Sequence, residues 1–290
     1  MKRTRVFLAV VLLLASSLAF AQWRRYSQTR TVREISSDTG EEPPTWKLEP
    51  EFAKDVFTFA RVRYSSQNPR GWGRSGGGDW STDAPDSDIN FSFRLQQLTS
   101  LRTDPDGRIV ELTDPVLFDF PWIYIVEPGM LDFSEEEVDA LRKYLLNGGF
   151  LMVDDFWGDA QWQNFYDQIK RVFPEREPEE LPMDHPIFSC VFNLGRMTKN
   201  ELQIPNIGDG MRSEFNGGIT WERRWGESAR DVHIKAIFDD KRRMMAVICH
   251  NTDNGDGWER EGISRFYFHE FSEKKAYPLG INIVFYAMTH

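Results

Sequence analysis

The stretch from Trp122 to Gly158 constrains this chain more than any other. It opens with the apolar run Trp122-Ile-Tyr-Ile-Val126 and stops at Glu127-Pro128-Gly129. A short run rich in β-branched and aromatic residues, bounded by turn formers, predicts a buried strand. Ser134 and Glu137 then have the spacing of a capping box, with Phe133 and Val138 placed to close a hydrophobic staple. Val138, Leu141 and Leu145 repeat at helical spacing, and Gly148-Gly149 ends the helix. Phe150 to Val153 is apolar throughout, as a parallel strand covered on both faces requires. Strand, helix and strand within about 32 residues make one right-handed βαβ unit.

That unit has a chemical consequence. Parallel strands release Glu127 and the Asp154/Asp155 pair at the same carboxyl edge, where open α/β sheets hold ligands. Acids there also cap helices and end strands.

The chain has 290 residues, 40% of them hydrophobic, enough for a sizeable core. Its net charge of −10 argues against nucleic acid and against an anionic membrane surface as partners. Residues 1–21 read as a signal peptide: Lys2, Arg3 and Arg5, an apolar run from Val6 to Leu18, and the small-x-small site Ala19-Phe20-Ala21. The apolar run is short for a membrane span, and no later segment is apolar for long enough. The expected product is exported, periplasmic or extracellular, without a transmembrane span once the signal is cleaved; an uncleaved anchor is the alternative. Residues 22–54 are polar and read as a linker, leaving 55–290 as a single α/β domain. Cys190 and Cys249 admit one bridge in an oxidising compartment, or two buried thiols.

Val56 to Tyr64 predicts the first strand. The glycine-rich run Gly71 to Asp79 follows it and precedes a helix, with Asp88 as expected N-cap and Phe91, Leu95, Leu98 and Leu101 on one face. Neither GxxxxGK[ST] nor GxGxxG is present, and the loop carries Asp83, Asp86 and Asp88, which would repel a phosphate. Asp79, Trp80 and Asp83 suit a sugar or metal contact, against a plain flexible loop. Arg108 to Leu112 is a short strand, and Asp159 is the expected cap of a second helix. His185, in Asp184-His185-Pro186, either faces the cleft or sits on a surface turn. Asp231–Phe238 and Met244–Cys249 predict two more strands. The second ends at His250 and an acidic loop, Asn251 to Trp258, that lacks EF-hand spacing. Ala276 to Met288 closes the chain as a helix.

Several runs together resemble the bacterial domain-of-unknown-function family 4159. They are Phe59 to Tyr64, GGGDW at Gly76 to Trp80, LRKYLLNGGFLMVDDFWG at Leu141 to Gly158, Asp184-His185-Pro186-Ile187, and Gly280 to Tyr286. The resemblance covers about Val56 to His290. It implies a class I glutamine amidotransferase-like fold: a three-layer α/β/α sandwich on a mostly parallel, flavodoxin-like sheet. It brings no established activity. Amidotransferases of that fold carry a nucleophilic cysteine on the elbow after a strand. Here the matching elbow holds Asp154 and Asp155, so thiolate chemistry on glutamine is not expected.

Two functions remain. One is a non-catalytic binding or assembly domain with a protein or carbohydrate partner of the cell envelope. The other is a hydrolase using Asp154 or Asp155 as base or metal ligand, with His250 or His185 as partner and Glu127 nearby, and with Asp79, Trp80 and His185 as candidate ligand contacts. No cofactor motif is present; a divalent metal on carboxylates and histidines is the one cofactor these residues admit.

Overall fold

The computed structural model of the protein describes residues 30–37, 39–40, 42–52, 55–66 and 79–290. The expected signal peptide, the start of the expected linker and the glycines at 71–78 lie outside them. Among the described residues a seven-stranded sheet has the order β2-β1-β3-β4-β7-β6-β5. The strands are β1 (Ala60–Val62), β2 (Arg108–Val110), β3 (Trp122–Val126), β4 (Phe150–Asp154), β5 (Glu179–Glu180), β6 (His233–Phe238) and β7 (Met244–His250). β2, β1, β3, β4 and β7 pair in parallel. β6 runs antiparallel to both its neighbours. β3 and β4 stay in register from Trp122↔Phe150 to Val126↔Asp154.

The longer helices are α1 (Asp86–Leu98), α2 (Glu135–Leu146) and α3 (Gly158–Val172). Short α4 (Ile207–Ser213) and α5 (Asn254–Glu259) follow, then α6 (Arg265–Tyr267), which runs through the π-helical stretch Phe268–Ala276 into α7 (Tyr277–Thr289). Strand alternation divides the core in two. Trp122, Tyr124, Phe150 and Met152 join Phe91, Leu95, Trp258 and Val284 in one cluster. Ile123, Ile125, Leu151 and Val153 join Leu141, Leu145, Phe165 and Ile169 in the other. No helix among the described residues is long and apolar enough to cross a membrane.

Local chemistry sets the element ends. Ser134 Oγ accepts from the Glu137 amide at 3.2 Å, while Glu137 Oε2 accepts from the Ser134 amide at 2.8 Å. Two expected caps are displaced. α1 starts at Asp86, because the Asp88 carboxylate is taken up by the Arg61 guanidinium. α3 starts after Trp157, and Asp159 is exposed in its first turn. The expected first strand shortens to Ala60–Val62, with Phe57 making an isolated bridge to Thr103.

The expected linker is also corrected. β2 is an edge strand, whose outward amides need partners. The Ile109 amide donates to Arg30 O at 2.9 Å, and Trp46 Nε1 donates to Thr103 O at 3.0 Å. Val32 is fully buried in the core. The described residues Arg30, Val32 and Trp46 therefore pack against the sheet rather than forming a bare linker.

Ser134→Ala removes one half of the reciprocal cap and is expected to cost about 1 kcal/mol. Urea denaturation checks this: the midpoint should fall with the slope unchanged.

Candidate functional site

The chain runs from β1 to β2 on one side, then crosses to place β3 and β4 on the other side of β1. That reversal leaves a crevice above the carboxyl ends of β1 and β3, the usual ligand position in such sheets. Four loops meet there. The loop after β1 brings Asp83, β3 ends at Glu127, β4 at Asp155, and the segment after β7 brings Asp253, Asp256 and Glu259.

A buried ion pair holds the first of these loops. Arg61 on β1 is fully buried, as is its partner Asp88 on α1. Its Nε donates to Asp88 Oδ2 at 2.9 Å. Its Nη1 donates to Trp80 O at 3.0 Å and Thr82 O at 2.9 Å. The guanidinium thus ties the backbone beside Asp83 to the sheet. Opposite it, Gly255 lies so close that a Cβ there would be driven into Asp83 Oδ2.

The carboxylates come together in two overlapping groups. Asp83, Asp155 and Asp253 each offer one oxygen, and these oxygens lie within 4.8 Å of one another. Asp83, Asp256 and Glu259 do the same. All but half-buried Asp83 are buried residues, and Asp83 Oδ2 is itself shut from solvent with no hydrogen-bond partner. Asp155 Oδ1 accepts from Trp157 Nε1 at 2.8 Å. Asp253 Oδ1 accepts from the Asp256 amide at 2.7 Å, and Asp256 Oδ2 from the Ile207 amide at 2.6 Å.

Burial is the main force on their ionisation. It raises Asp83, Asp155 and Asp253 well above the usual carboxylate range. Neighbouring acids push the same way: Asp256 on Asp83, Glu127 on Asp155, and Asp155 on Asp253. Glu259 is pushed up to about 10 by burial and Asp83, against the pull of Arg260. Buried carboxylates without enough cations take up protons or metal ions.

The backbone is strained at the same place. Asp83, Glu127, Asp155 and Asn251 adopt left-handed φ of 63°, 47°, 54° and 63°. Such residues cost on the order of 1–3 kcal/mol each and gather at functional sites.

The residues singled out in the sequence separate into three groups. Asp155 and Glu127 stand in the crevice, where the charge of Glu127 acts on Asp155. Asp154 is beside it but fully engaged: it accepts from Asn254 Nδ2 at 2.7 Å, the Asn254 amide at 2.9 Å, the Gly255 amide at 3.1 Å and Tyr124 Oη at 3.0 Å. It is raised to about 6 by burial, with those bonds opposing. Those bonds fix the start of α5.

The remaining residues are elsewhere. His250 is buried on the other sheet face, its ring 4.8 Å from Phe156 and 5.3 Å from Trp162, with Nε2 3.2 Å from Gly158 O. His185 caps the turn Pro186–Phe188, and its ring lies tilted against Tyr286 with centroids 5.4 Å apart. It feels Arg242 in the turn before β7, at the amino edge of the sheet. Trp80 is buried, with Arg63 lying 5.8 Å from its ring centroid. The side chain of Asp79 lies outside the described residues. Cys190 and Cys249 are unbridged, one exposed and one buried.

The sequence suggests Asp83, with Asp79 and Trp80, as a sugar or metal contact, places Asp253 and Asp256 only in an acidic loop, and does not single out Glu259 or Glu222. Glu222 is buried in the segment between α4 and β6 and acts on Asp155. The available signal was position: all but Glu222 follow a parallel strand.

Fold and site together define an α/β domain with a buried carboxylate constellation at the carboxyl edge of a mostly parallel sheet. The family described as Domain of unknown function (DUF4159) matches residues 58–288, and the chain belongs to it. No curated protein matches the chain.

His250 supplies a pH prediction. Burial lowers its pKa from 6.5 to about 3, so between those values the unfolded chain binds a proton that the folded chain refuses. The neutral ring's contribution is complete above about pH 6.5 and is lost as pH falls, by up to about 1.4 kcal/mol per unit. The stability advantage of the wild type over His250→Gln should therefore shrink between about pH 7 and about pH 5 in urea melts. An advantage independent of pH would contradict this.

Proposed function

We propose that this chain is an exported cell-envelope domain that binds a divalent cation through Asp83, Asp155 and Asp253, and engages its partner at that crevice without thiol chemistry. One observation carries the proposal: three carboxylates from three different loops converge within 4.8 Å. All-oxygen donors suit Mg²⁺, Ca²⁺ or Mn²⁺ over softer metals. Glu127 and Glu222 add negative charge around Asp155. The partner class is a protein or carbohydrate of the envelope, and the basic, apolar, small-residue start of the sequence supports export. The two core clusters and the parallel strands support a three-layer, amidotransferase-like sandwich. In that frame the elbow after β4 carries Asp155 where the thiol enzymes carry cysteine.

The elbow also favours a second reading. Asp155 has a left-handed backbone between a strand and a helix, the position of a nucleophile or base in many α/β hydrolases. A bound cation would hold its carboxylate ionised. His250 has no part in this version, since it packs under α3.

Thermal melts of the purified chain with Mg²⁺, Ca²⁺, Mn²⁺ and Zn²⁺ test the cation reading. An ion at a hundred times its Kd adds about 2.7 kcal/mol, a rise in Tm of roughly 5–10 °C. At least one hard cation should produce that rise, and Asp155→Asn should abolish it. Melting points unmoved by all four ions would refute the proposal.

A further inference from the structure

We infer that residues 214–228 form a strap that docks against the Asp155 side of the crevice when a cation occupies it, with Glu222 as its latch. This rests on the cation reading above and adds a moving part to it.

Little that is apolar holds this strap down. Within it Glu222 alone is buried, while Phe215 is 84% exposed and Trp225 39%. A segment with so few buried apolar contacts opens at low cost. It also has points to turn on. Gly217 and Gly218 before Glu222, and Gly226 after it, take left-handed φ of 84°, 80° and 85°. A Cβ on any of the three would meet nothing within 4 Å, so the surrounding structure does not pin the backbone there. Unpacked glycines can absorb the φ and ψ changes of a hinge.

What the strap buries is a carboxylate. Glu222 Oε2 accepts from Trp225 Nε1 at 3.0 Å and lies 2.6 Å from Arg224 Nη2, both within the strap. Its Oε1 accepts from Asn206 Nδ2 at 2.7 Å, outside the strap. Asn206 precedes Ile207, whose amide holds Asp256, so the latch engages the rim of the crevice. Further along, Trp225 O lies 2.9 Å from where a Cβ on Gly158 would be, and Ser228 Oγ accepts from the Asp159 amide at 3.1 Å. Docking thus brings the charge of Glu222 to bear on Asp155. Without a cation, setting one buried carboxylate beside another costs repulsion or the uptake of a proton. A cation on Asp83, Asp155 and Asp253 removes that cost. Strap docking and ion binding are then coupled, and each favours the other by the same factor.

Trypsin reads the strap, because exposed Arg223 and Arg224 lie in it and are cut when it opens. The full chain is digested in mildly alkaline buffer with and without Mn²⁺, and mass spectrometry locates the cuts. A reporter peptide checks that the ion leaves trypsin itself unchanged. Saturating Mn²⁺ should slow cleavage after Arg223 and Arg224 by roughly 5- to 150-fold, the usual span for coupled sites. Glu222→Gln should be cut there at the same rate with and without the ion. The wild-type ratio decides the matter even if that variant fails to fold. Wild-type cleavage unchanged at a Mn²⁺ concentration that raises the melting point would overturn the strap and leave the cation site standing. No rise in melting point would remove both.

Discussion

Carboxylates shut away from water must be neutralised, and the carboxyl edge of this sheet is arranged around that constraint. Asp83, Asp155, Asp253 and Glu259 are all pushed toward their protonated forms by burial and by one another. Arg61 cannot relieve them fully, because its guanidinium is engaged by Asp88. Arg260 offsets only part of the charge on the α5 side. A fold that needed nothing at this edge would replace such acids with apolar or amide groups at little cost. Their burial, together with four left-handed residues, supports the cation binding proposed above.

The rest of the molecule holds this arrangement in place. Parallel pairing in the order β1-β3-β4-β7 lines up the strand ends from which the loops depart. Asp154 gathers the first amides of α5 and so aims Asp253, Asp256 and Glu259 at the crevice. Asn251 ties the start of α3 to the segment before β6: its Oδ1 accepts from the Gly158 amide, and its Nδ2 donates to Ser228 O and Asp231 O, each at 2.8 Å. These polar residues sit between two apolar clusters, so their bonds are sheltered from competition by water.

The sequence made part of this legible. Trp122 to Asp154 carries its own strand, cap and stop signals, so the βαβ unit and the shared rim of Glu127 and Asp155 follow from local chemistry. The convergence of Asp83 with Asp253 does not, because it depends on β1 lying between β2 and β3, and strand order is a long-range property. Asp154 and Asp155 are neighbours with opposite duties; strand alternation turns one toward α5 and releases the other. The same alternation puts His250 on the face of Ile248 and away from the acids, a distinction that a strand-end position alone conceals. The polar N-terminal segment misled for a different reason: Val32 is one apolar residue in a hydrophilic stretch, and its burial comes from an edge strand in need of partners.

The most direct measurement is an anomalous difference map from crystals grown with Mn²⁺. The account predicts a peak bonded to oxygens of Asp83, Asp155 and Asp253 at about 2.0–2.6 Å. A featureless crevice, with the three carboxylates hydrogen-bonded to one another as protonated acids, would contradict it.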